Sequence, residues 1–162
     1  MPNVMLHGDT WINNIMFLKD PKNPKQLTDE VAAFFDWQIS TCGCGLNDLA
    51  RLTAWCVPHD LRRLQSDVIL KIYFDEFTSK VDPTVLGTDF TLERASMVFN
   101  RTLAVHGLLG VPMVDFMLNF LGKVHEDETG WRKETLLNRV KASYDDCVTY
   151  FNSSANIAFL EL

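Results

Sequence analysis

The 162-residue sequence is poor in cysteine and in positive charge, and both shortages limit what the protein can be. Its four cysteines are too few for the disulfide framework that holds small secreted domains together. Fifteen Lys and Arg against 21 Asp and Glu give a net charge of −6, so no broad basic surface for nucleic acid is expected. Neither a G-x-x-x-x-G-K-[ST] loop nor a G-x-G-x-x-G segment occurs, which excludes the two common glycine-rich phosphate-binding motifs.

Signals for targeting and for membrane insertion are also lacking. Residues 1–7 contain neither a basic segment nor a long apolar run, so no signal peptide is expected and the cytoplasm is the predicted location. Residues 103–121 are long and apolar enough to suggest a membrane span. They contain His106, Pro112 and Asp115, however, and ionisable groups are costly in hydrocarbon. We therefore predict buried core helices in this stretch and no membrane span.

Apolar residues are abundant, at 47% of the chain with 11 Phe and 4 Trp, which is enough for a folded core. Three short apolar runs lie in the first 45 residues and alternate with turns, as is typical of a small sheet. They cover residues 4–6, 14–18 and 31–35. From residue 46 onward the apolar spacing becomes helical. The predicted fold is α+β and mostly α, in one domain over 1–162 with a β-rich segment at 1–45 and a helical bundle at 46–162.

Several helix boundaries and faces follow from the same pattern. Asn47 or Asp48 is expected to cap the first helix, which ends before Pro58, and Asp89 or Thr91 to start the third. A helix break is expected at 110–112, and a polar linker at 125–130. The second helix is predicted to bury one stripe of apolar residues. That stripe consists of Leu61, Leu64, Val68, Ile72 and Phe77.

The residues that carry chemistry lie near the start of the chain. His7 to Asn14 reads H-x-D-x-x-x-x-N, and Asp36 directly follows the third apolar run. Phosphoryl transfer needs a carboxylate that orients the attacking hydroxyl and oxygen ligands that hold Mg²⁺ at the phosphates. Asp9 can take the first role, and Asn14 with Asp36 can take the second. A short loop and a turn through 21–24 can bring all three together beside strands that hold them rigidly.

These residues resemble the catalytic loop and metal-binding segment of the choline-kinase-like and aminoglycoside-phosphotransferase-like branch of the protein-kinase fold. The closer resemblance is to the CHK-kinase-like group, which includes the ecdysteroid kinase-like proteins. Residues 7–16 are similar to that group's catalytic loop, and 36–38 to its counterpart of the kinase D-F-G segment, although the Gly is missing. Residues 43–51 resemble the helix start that follows.

The resemblance implies a role for each of these residues. Asp9 would be the catalytic base, Asn14 and Asp36 would bind Mg²⁺, and His7 would brace the loop. The implied activity is Mg²⁺- and ATP-dependent phosphorylation of a hydroxyl on a small molecule. Choline-like, sterol-like and aminoglycoside-like hydroxyls all suit the motif, so the substrate stays open.

In that family a β-rich lobe with a nucleotide-covering loop and a phosphate-binding Lys precedes the catalytic loop. The loop begins at residue 7 in this sequence, so we expect the C-terminal lobe only, with the N-terminal ATP-binding lobe absent and the chain alone inactive. Three alternatives remain. The chain is a fragment or truncated form of a kinase, or a non-catalytic lobe that acts as a binding or interaction protein, or a lobe completed by another chain.

Other candidate sites have ordinary structural interpretations. The cysteines at 42, 44 and 56 with His59 lack the paired spacing of structural zinc sites, so a turn and a helix with reduced cysteines are expected. Trp11 and Trp37 are expected to pack in the core rather than to border a substrate pocket. Asp48 is interpreted as a carboxylate favoured by the helix dipole, and His106 as a partly buried packing histidine.

Overall fold

A computed structural model of the protein describes residues 1–121 and 130–153. Residues 125–129 of the predicted polar linker therefore lie outside the described residues. The fold is α+β and mostly helical, as predicted. The strands are β1 (Asn3–Leu6), β2 (Ile15–Lys19), β3 (Leu27–Phe34) and β4 (Thr41–Cys44). The helices are α1 (Leu46–Cys56), α2 (His59–Lys80), α3 (Pro83–Leu86), α4 (Leu92–Leu121) and α5 (Trp131–Asn152).

The four strands form two separate two-stranded ladders rather than the single small sheet that the sequence predicted. β1 pairs antiparallel with β4, with Leu6 opposite Thr41, and β2 pairs antiparallel with β3. The interpretation of residues 42–44 as a turn is wrong, because they lie in β4. A Cβ on Gly43 would lie 3.0 Å from Leu6 Cδ1, so the missing side chain lets β4 approach β1. A four-residue strand that contains glycine carries too little alternation to be recognised.

The core lies between three helices and centres on α1. Leu46 and Ala50 of α1 are buried against Leu70 of α2 and against Ala95 and Phe99 of α4. Thr91 Oγ1 accepts a bond from the Arg94 N–H at 3.2 Å, which confirms Thr91 as the residue that starts α4. Because α1 follows β4 directly, this core also positions the N-terminal loops.

Most of the α2 stripe that the sequence predicted to be buried is exposed, and only Phe77 of that stripe is half-buried. Leu64 is 74% exposed and Ile72 60% exposed, and Leu61 and Val68 are also exposed. The buried residues of α2 are Arg62 and Leu70. The prediction is wrong because two faces of α2 carry apolar residues, and the buried face begins with an arginine that looks like a surface residue in the sequence.

Arg62 is buried because two neighbouring helices satisfy its guanidinium. Nη1 donates to the Ala54 carbonyl of α1 at 3.2 Å and to Ser143 Oγ of α5 at 2.9 Å, and Nη2 donates to Asp146 at 2.6 Å. Such a charge is tolerated in the interior only when it is paired and hydrogen-bonded. Arg62 thereby joins α1, α2 and α5.

Helix α4 runs through the break that was expected at 110–112. Pro112 lies inside it and cannot donate to the carbonyl of Leu108. Both residues are exposed, so water can solvate that carbonyl and the helix continues. Among the described residues, the stretch Leu92–Val114 of α4 is long and apolar enough, by length and composition alone, to cross a membrane. In the fold this helix packs against α1, α2 and α5, and the absence of a membrane span stays a prediction.

Candidate functional site

The loop after β1 brings Asp9 and Asn14 into direct contact. A 3₁₀ turn over Ile12–Asn14 closes the loop, with the Asn14 N–H donating to the Trp11 carbonyl at 3.0 Å. The buried Asn14 side chain then donates from Nδ2 to the Asp9 carbonyl at 2.9 Å and to Asp9 Oδ2 at 3.2 Å. Because Nδ2 is committed to Asp9, the carboxamide presents Oδ1 as its acceptor.

His7 connects this loop to the end of β3. Its ring is buried, and Nε2 lies 2.8 Å from the carbonyl oxygen of Phe35. The Asp9 N–H donates to Nδ1 at 3.3 Å. The two bonds define one tautomer, with the proton on Nε2 and the lone pair on Nδ1. The ring of Trp37 packs against the imidazole with 4.5 Å between centroids. Trp37 is nevertheless 42% exposed and lines a cavity beside His7, so the prediction that it packs in the core is wrong.

Asp36 follows β3 at the point where that strand meets the loop. The Phe35 N–H donates to the Asn14 carbonyl at 3.1 Å, so the chain reaches Asp36 one residue beyond a bond to Asn14. Asp36 has a φ of +64° and is the one non-glycine residue with positive φ in the described parts of the chain. The left-handed region costs a side chain about 1 kcal/mol or more. Glycine would adopt this backbone without that cost, and aspartate is among the side chains that are found there most often.

Asp48 and Arg51 extend from α1 to the same loop, and sequence reasoning gave neither of them this role. Asp48 accepts the backbone N–H groups of His7 at 2.6 Å and Gly8 at 3.0 Å, so its interpretation as a helix-dipole carboxylate is incomplete. Arg51 forms an ion pair with the Asp9 carboxylate and donates to the Gly8 carbonyl at 3.3 Å. Their i, i+3 spacing places both on one face of α1, which is the signal that could have indicated a shared role.

The side chains of Asn14 and Asp36 carry oxygen atoms of the kind that bind magnesium. Within residues 1–121 and 130–153, no three His, Cys, Asp or Glu side chains gather as a metal cage. Mg²⁺ in nucleotide sites commonly takes one or two protein oxygen ligands and completes its shell with phosphates and water. Asp36 and Asn14 would be the residues to hold such an ion.

A cavity of about 220 Å³ opens on the far side of the loop. The 11–13 segment, α1, α4 and α5 enclose it. Its lining comprises Trp11, Ile12, Asn13, Ala54, Trp55, Cys56, His106, Gly107, Gly110, Met113, Val114, Leu136, Arg139, Val140 and Ser143. The expectation that Trp11 only packs in the core is wrong, because its ring lines this cavity.

The Cys56 thiol at the cavity wall accepts a hydrogen bond from the Ile12 N–H at 3.2 Å. Burial raises the pKa of this thiol, which keeps it protonated.

His106 is buried at the cavity wall, which agrees with the packing histidine that the sequence predicted. Its Nε2 lies 2.9 Å from Asn47 Oδ1, so Nε2 carries the proton. Burial, followed by the charge of Arg51, lowers the pKa of His106 and favours the neutral ring. No partner for Nδ1 occurs among the described residues.

Comparison with known proteins assigns the chain to a family. A family profile described as "Uncharacterized oxidoreductase dhs-27" matches residues 1–155. The chain belongs to this family. The family is of the kinase-like, ecdysteroid-kinase-like type, in agreement with the resemblance at this coarse level.

A curated relative of the same description, from Caenorhabditis elegans, is 22% identical over 114 residues. The alignment covers 70% of this chain but 14% of the relative, so the chain corresponds to a small part of that protein. No solved structure matches the chain.

Proposed function

We propose that the chain is the metal- and acceptor-binding lobe of a small-molecule phosphotransferase that uses Mg²⁺ and ATP. Asp9 orients the acceptor hydroxyl and takes its proton, and Asn14 and Asp36 are the Mg²⁺ ligands. The observation that carries the proposal is the linkage of these residues. Asn14 bonds to Asp9 through its side chain and, through its carbonyl, to the residue before Asp36.

Each of these residues has a definite part in the proposed chemistry. Bound Mg²⁺ would neutralise charge on the transferred phosphate, which is the main electrostatic need of phosphoryl transfer. The Asn14 contact holds one carboxylate oxygen of Asp9, and the Arg51 ion pair holds the other. The oxygen bonded by Asn14 keeps a second lone pair that can accept the hydroxyl proton, and the two contacts fix the position of the carboxylate.

The oxidoreductase name of the relative does not lead us to propose redox chemistry for this lobe. That name is given to a whole protein, of which the matched region is 14%. The chain also contains no G-x-G-x-x-G segment for a dinucleotide.

A second candidate is a lobe that binds ligands without transferring phosphate. The ion pair between Arg51 and Asp9 favours it, because Arg51 occupies an oxygen that a catalytic base would turn towards substrate. The two candidates differ in one measurable property. Only the first requires the 162-residue chain, with any lobe that completes it, to turn over ATP in the presence of an alcohol.

Paramagnetic broadening by Mn²⁺-ATP tests the metal ligands in the 162-residue chain. We expect Mn²⁺-ATP to broaden the side-chain amide of Asn14 and the backbone amides of residues 8–9 and 35–37, since nearby nuclei relax fastest. Asp36→Asn should weaken this effect by about tenfold, because it removes one charged oxygen ligand. Asp67→Asn, at an exposed position of α2, is the matched control. Unchanged broadening in Asp36→Asn would show that the metal role is wrong.

A further inference from the structure

Three sulfur side chains share the face of the β1–β4 ladder that points away from Leu6. Met5 of β1 lies directly opposite Cys42 of β4 in the antiparallel register, so their side chains are on one face. Cys44 follows Cys42 by two positions in the same strand and is on that face as well. Met5 is 71% exposed, Cys42 is exposed and Cys44 is half-buried. Two thiols and a thioether are therefore gathered on a surface that is open to solvent.

Both thiols are available to a ligand. Cys42 and Cys44 are free cysteines, and Cys44 packs against the core cluster around Leu46, which holds this end of the pair in place. The other two cysteines of the chain lie elsewhere. Cys56 accepts the hydrogen bond from the Ile12 N–H in α1, and Cys147 is buried in α5. The pair in β4 is thus the place where two thiols of this chain come together.

The spacing of the two cysteines suits a bridging metal rather than a disulfide. Each residue of an extended strand advances about 3.3 Å, so the two Cα atoms lie about 6.6 Å apart with their side chains parallel. A disulfide requires Cβ atoms about 3.8 Å apart, which two parallel side chains at this separation do not provide. Bonds from a metal ion to two thiolates are about 2.3 Å each, so a metal spans a wider gap between the sulfurs.

The types of ligand select a soft metal ion. Thiolate and thioether sulfur bind Cu(I), whereas Mg²⁺ and Mn²⁺ prefer oxygen. Structural zinc requires four Cys, His or carboxylate ligands. Throughout the part of the chain that the structure describes, no third His, Cys, Asp or Glu joins the two thiols, so a zinc cage is incomplete. Cu(I) is stable with two or three sulfur ligands, and the thioether of Met5 supplies the third.

We propose that Cys42, Cys44 and Met5 form a Cu(I) site on this face of the ladder. Both thiols release their protons to solvent as their sulfurs bond to the metal. The copper stays Cu(I) throughout, so binding needs neither an oxidant nor a reductant. The site does not rest on the proposed phosphotransferase, because Asp9 and the proposed Mg²⁺ ligands take no part in it.

Competition with a coloured Cu(I) chelator tests the site in the 162-residue chain. Reduced protein is titrated, in the absence of oxygen, against the Cu(I) complex of bicinchoninate, whose colour fades as copper is withdrawn. We expect one Cu(I) to be taken up per chain, with the protein remaining monomeric in analytical ultracentrifugation. Absence of uptake, or one Cu(I) shared between two chains, overturns the proposal.

Variants with matched controls identify the ligands. Cys42→Ser, at an exposed position, should weaken Cu(I) binding by about 100-fold, because a hydroxyl is a poor ligand for a soft metal. Met5→Leu removes only the thioether and should weaken it by about fivefold. Cys56→Ser and Met16→Leu, which change a thiol and an exposed thioether outside the site, should bind within about twofold of the parent chain. If Cys42→Ser binds as tightly as Cys56→Ser, the assignment is wrong.

Methionine methyl resonances distinguish the proposed site from unspecific thiol binding. The chain has six methionines, and labelling with ¹³C at the methyl group makes each visible by NMR. Cu(I) should shift the Met5 methyl resonance and leave that of Met16 in place. X-ray absorption at the copper edge should show sulfur neighbours only. An unshifted Met5 methyl, or nitrogen or oxygen neighbours of the copper, would contradict the three-residue site.

Discussion

The backbone N–H of His7 donates a hydrogen bond of 2.6 Å to Oδ2 of Asp48, a residue 41 positions later in the chain. The neighbouring Gly8 N–H donates to the other carboxylate oxygen at 3.0 Å. Asp48 stands in the first turn of α1, whose Leu46 and Ala50 are buried in the core. The loop that carries Asp9 is therefore attached to a helix that is buried in the core.

Replacement of Asp48 by asparagine should loosen this attachment. Asparagine has one acceptor oxygen, so one of the two loop N–H groups loses its partner. We expect a loss of about 1–2 kcal/mol in the free energy of unfolding, measured by urea denaturation. Asp67→Asn, which is exposed on α2, should change it by less than about 0.5 kcal/mol. Equal effects of the two variants would contradict the role of Asp48.

Two glycines with positive φ provide a matched test of the space around the loop. Gly8 has a φ of +82°, and a Cβ there would lie 2.5 Å from the Ile39 carbonyl oxygen. Gly87 has a φ of +69°, and its Cβ would have open space. Gly87→Ala should therefore cost only the backbone strain, about 1 kcal/mol, whereas Gly8→Ala should cost about 2 kcal/mol or more. Thermal unfolding of both variants measures the difference. Similar midpoints would show that the backbone near Ile39 can move to accommodate a Cβ at position 8.

Replacement of Asp36 by glycine should raise the stability of the fold, because it removes backbone strain, and should lower metal affinity, because it removes the carboxylate. Asp36→Gly places glycine at a φ of +64° and should stabilise the fold by about 0.5–1 kcal/mol. The same variant should lose Mn²⁺-ATP broadening around Asn14. Asp36→Ala keeps the strain and loses the carboxylate, so it should lose broadening without the gain in stability. If Asp36→Gly lowers the stability instead, the carboxylate contributes to folding through its own contacts.

The ion pair between Arg62 and Asp146 should make stability depend on pH. Burial alone would raise the pKa of Asp146, but hydrogen bonds and charge from Arg63 and Arg62 outweigh it and lower this pKa below its ordinary value. The folded state thus holds the proton less tightly than the unfolded state. The resulting stabilisation is complete above the ordinary aspartate pKa of about 3.9 and is lost as the pH falls further, through the folded value.

Asp146→Asn tests this relationship directly. At neutral pH it should cost about 2 kcal/mol, because it leaves the buried Arg62 guanidinium without its charged partner. The difference from the parent chain should shrink as the pH falls below about 3.9 in urea titrations. Asp145→Asn, at the exposed neighbouring position, is the control and should show neither effect. A constant difference at all pH values would show that the ion pair does not titrate with folding.

The sequence was informative wherever the determining residues lie close together in it. The contact between Asp9 and Asn14 spans five positions, and the spacing of polar residues around short apolar runs indicated that the two side chains could meet. The burial of His106 and the beginning of α4 at Thr91 also followed from local pattern. These features depend on helix and strand periodicity, which is a property of neighbouring residues.

Tertiary structure decided the features that depend on distant residues. Spacing did not reveal that Asp48 and Arg51 reach the loop across more than 40 positions, or that β4 pairs with β1. The exposed stripe of α2 has the same periodicity as a buried one, and only the packing of the other helices determined which face was covered. The cavity behind Trp11 exists because three helices and the loop meet without filling the space. The local chemistry of the site was thus determined by the order of residues, whereas its attachment and its neighbouring cavity arise from contacts that no local pattern encodes.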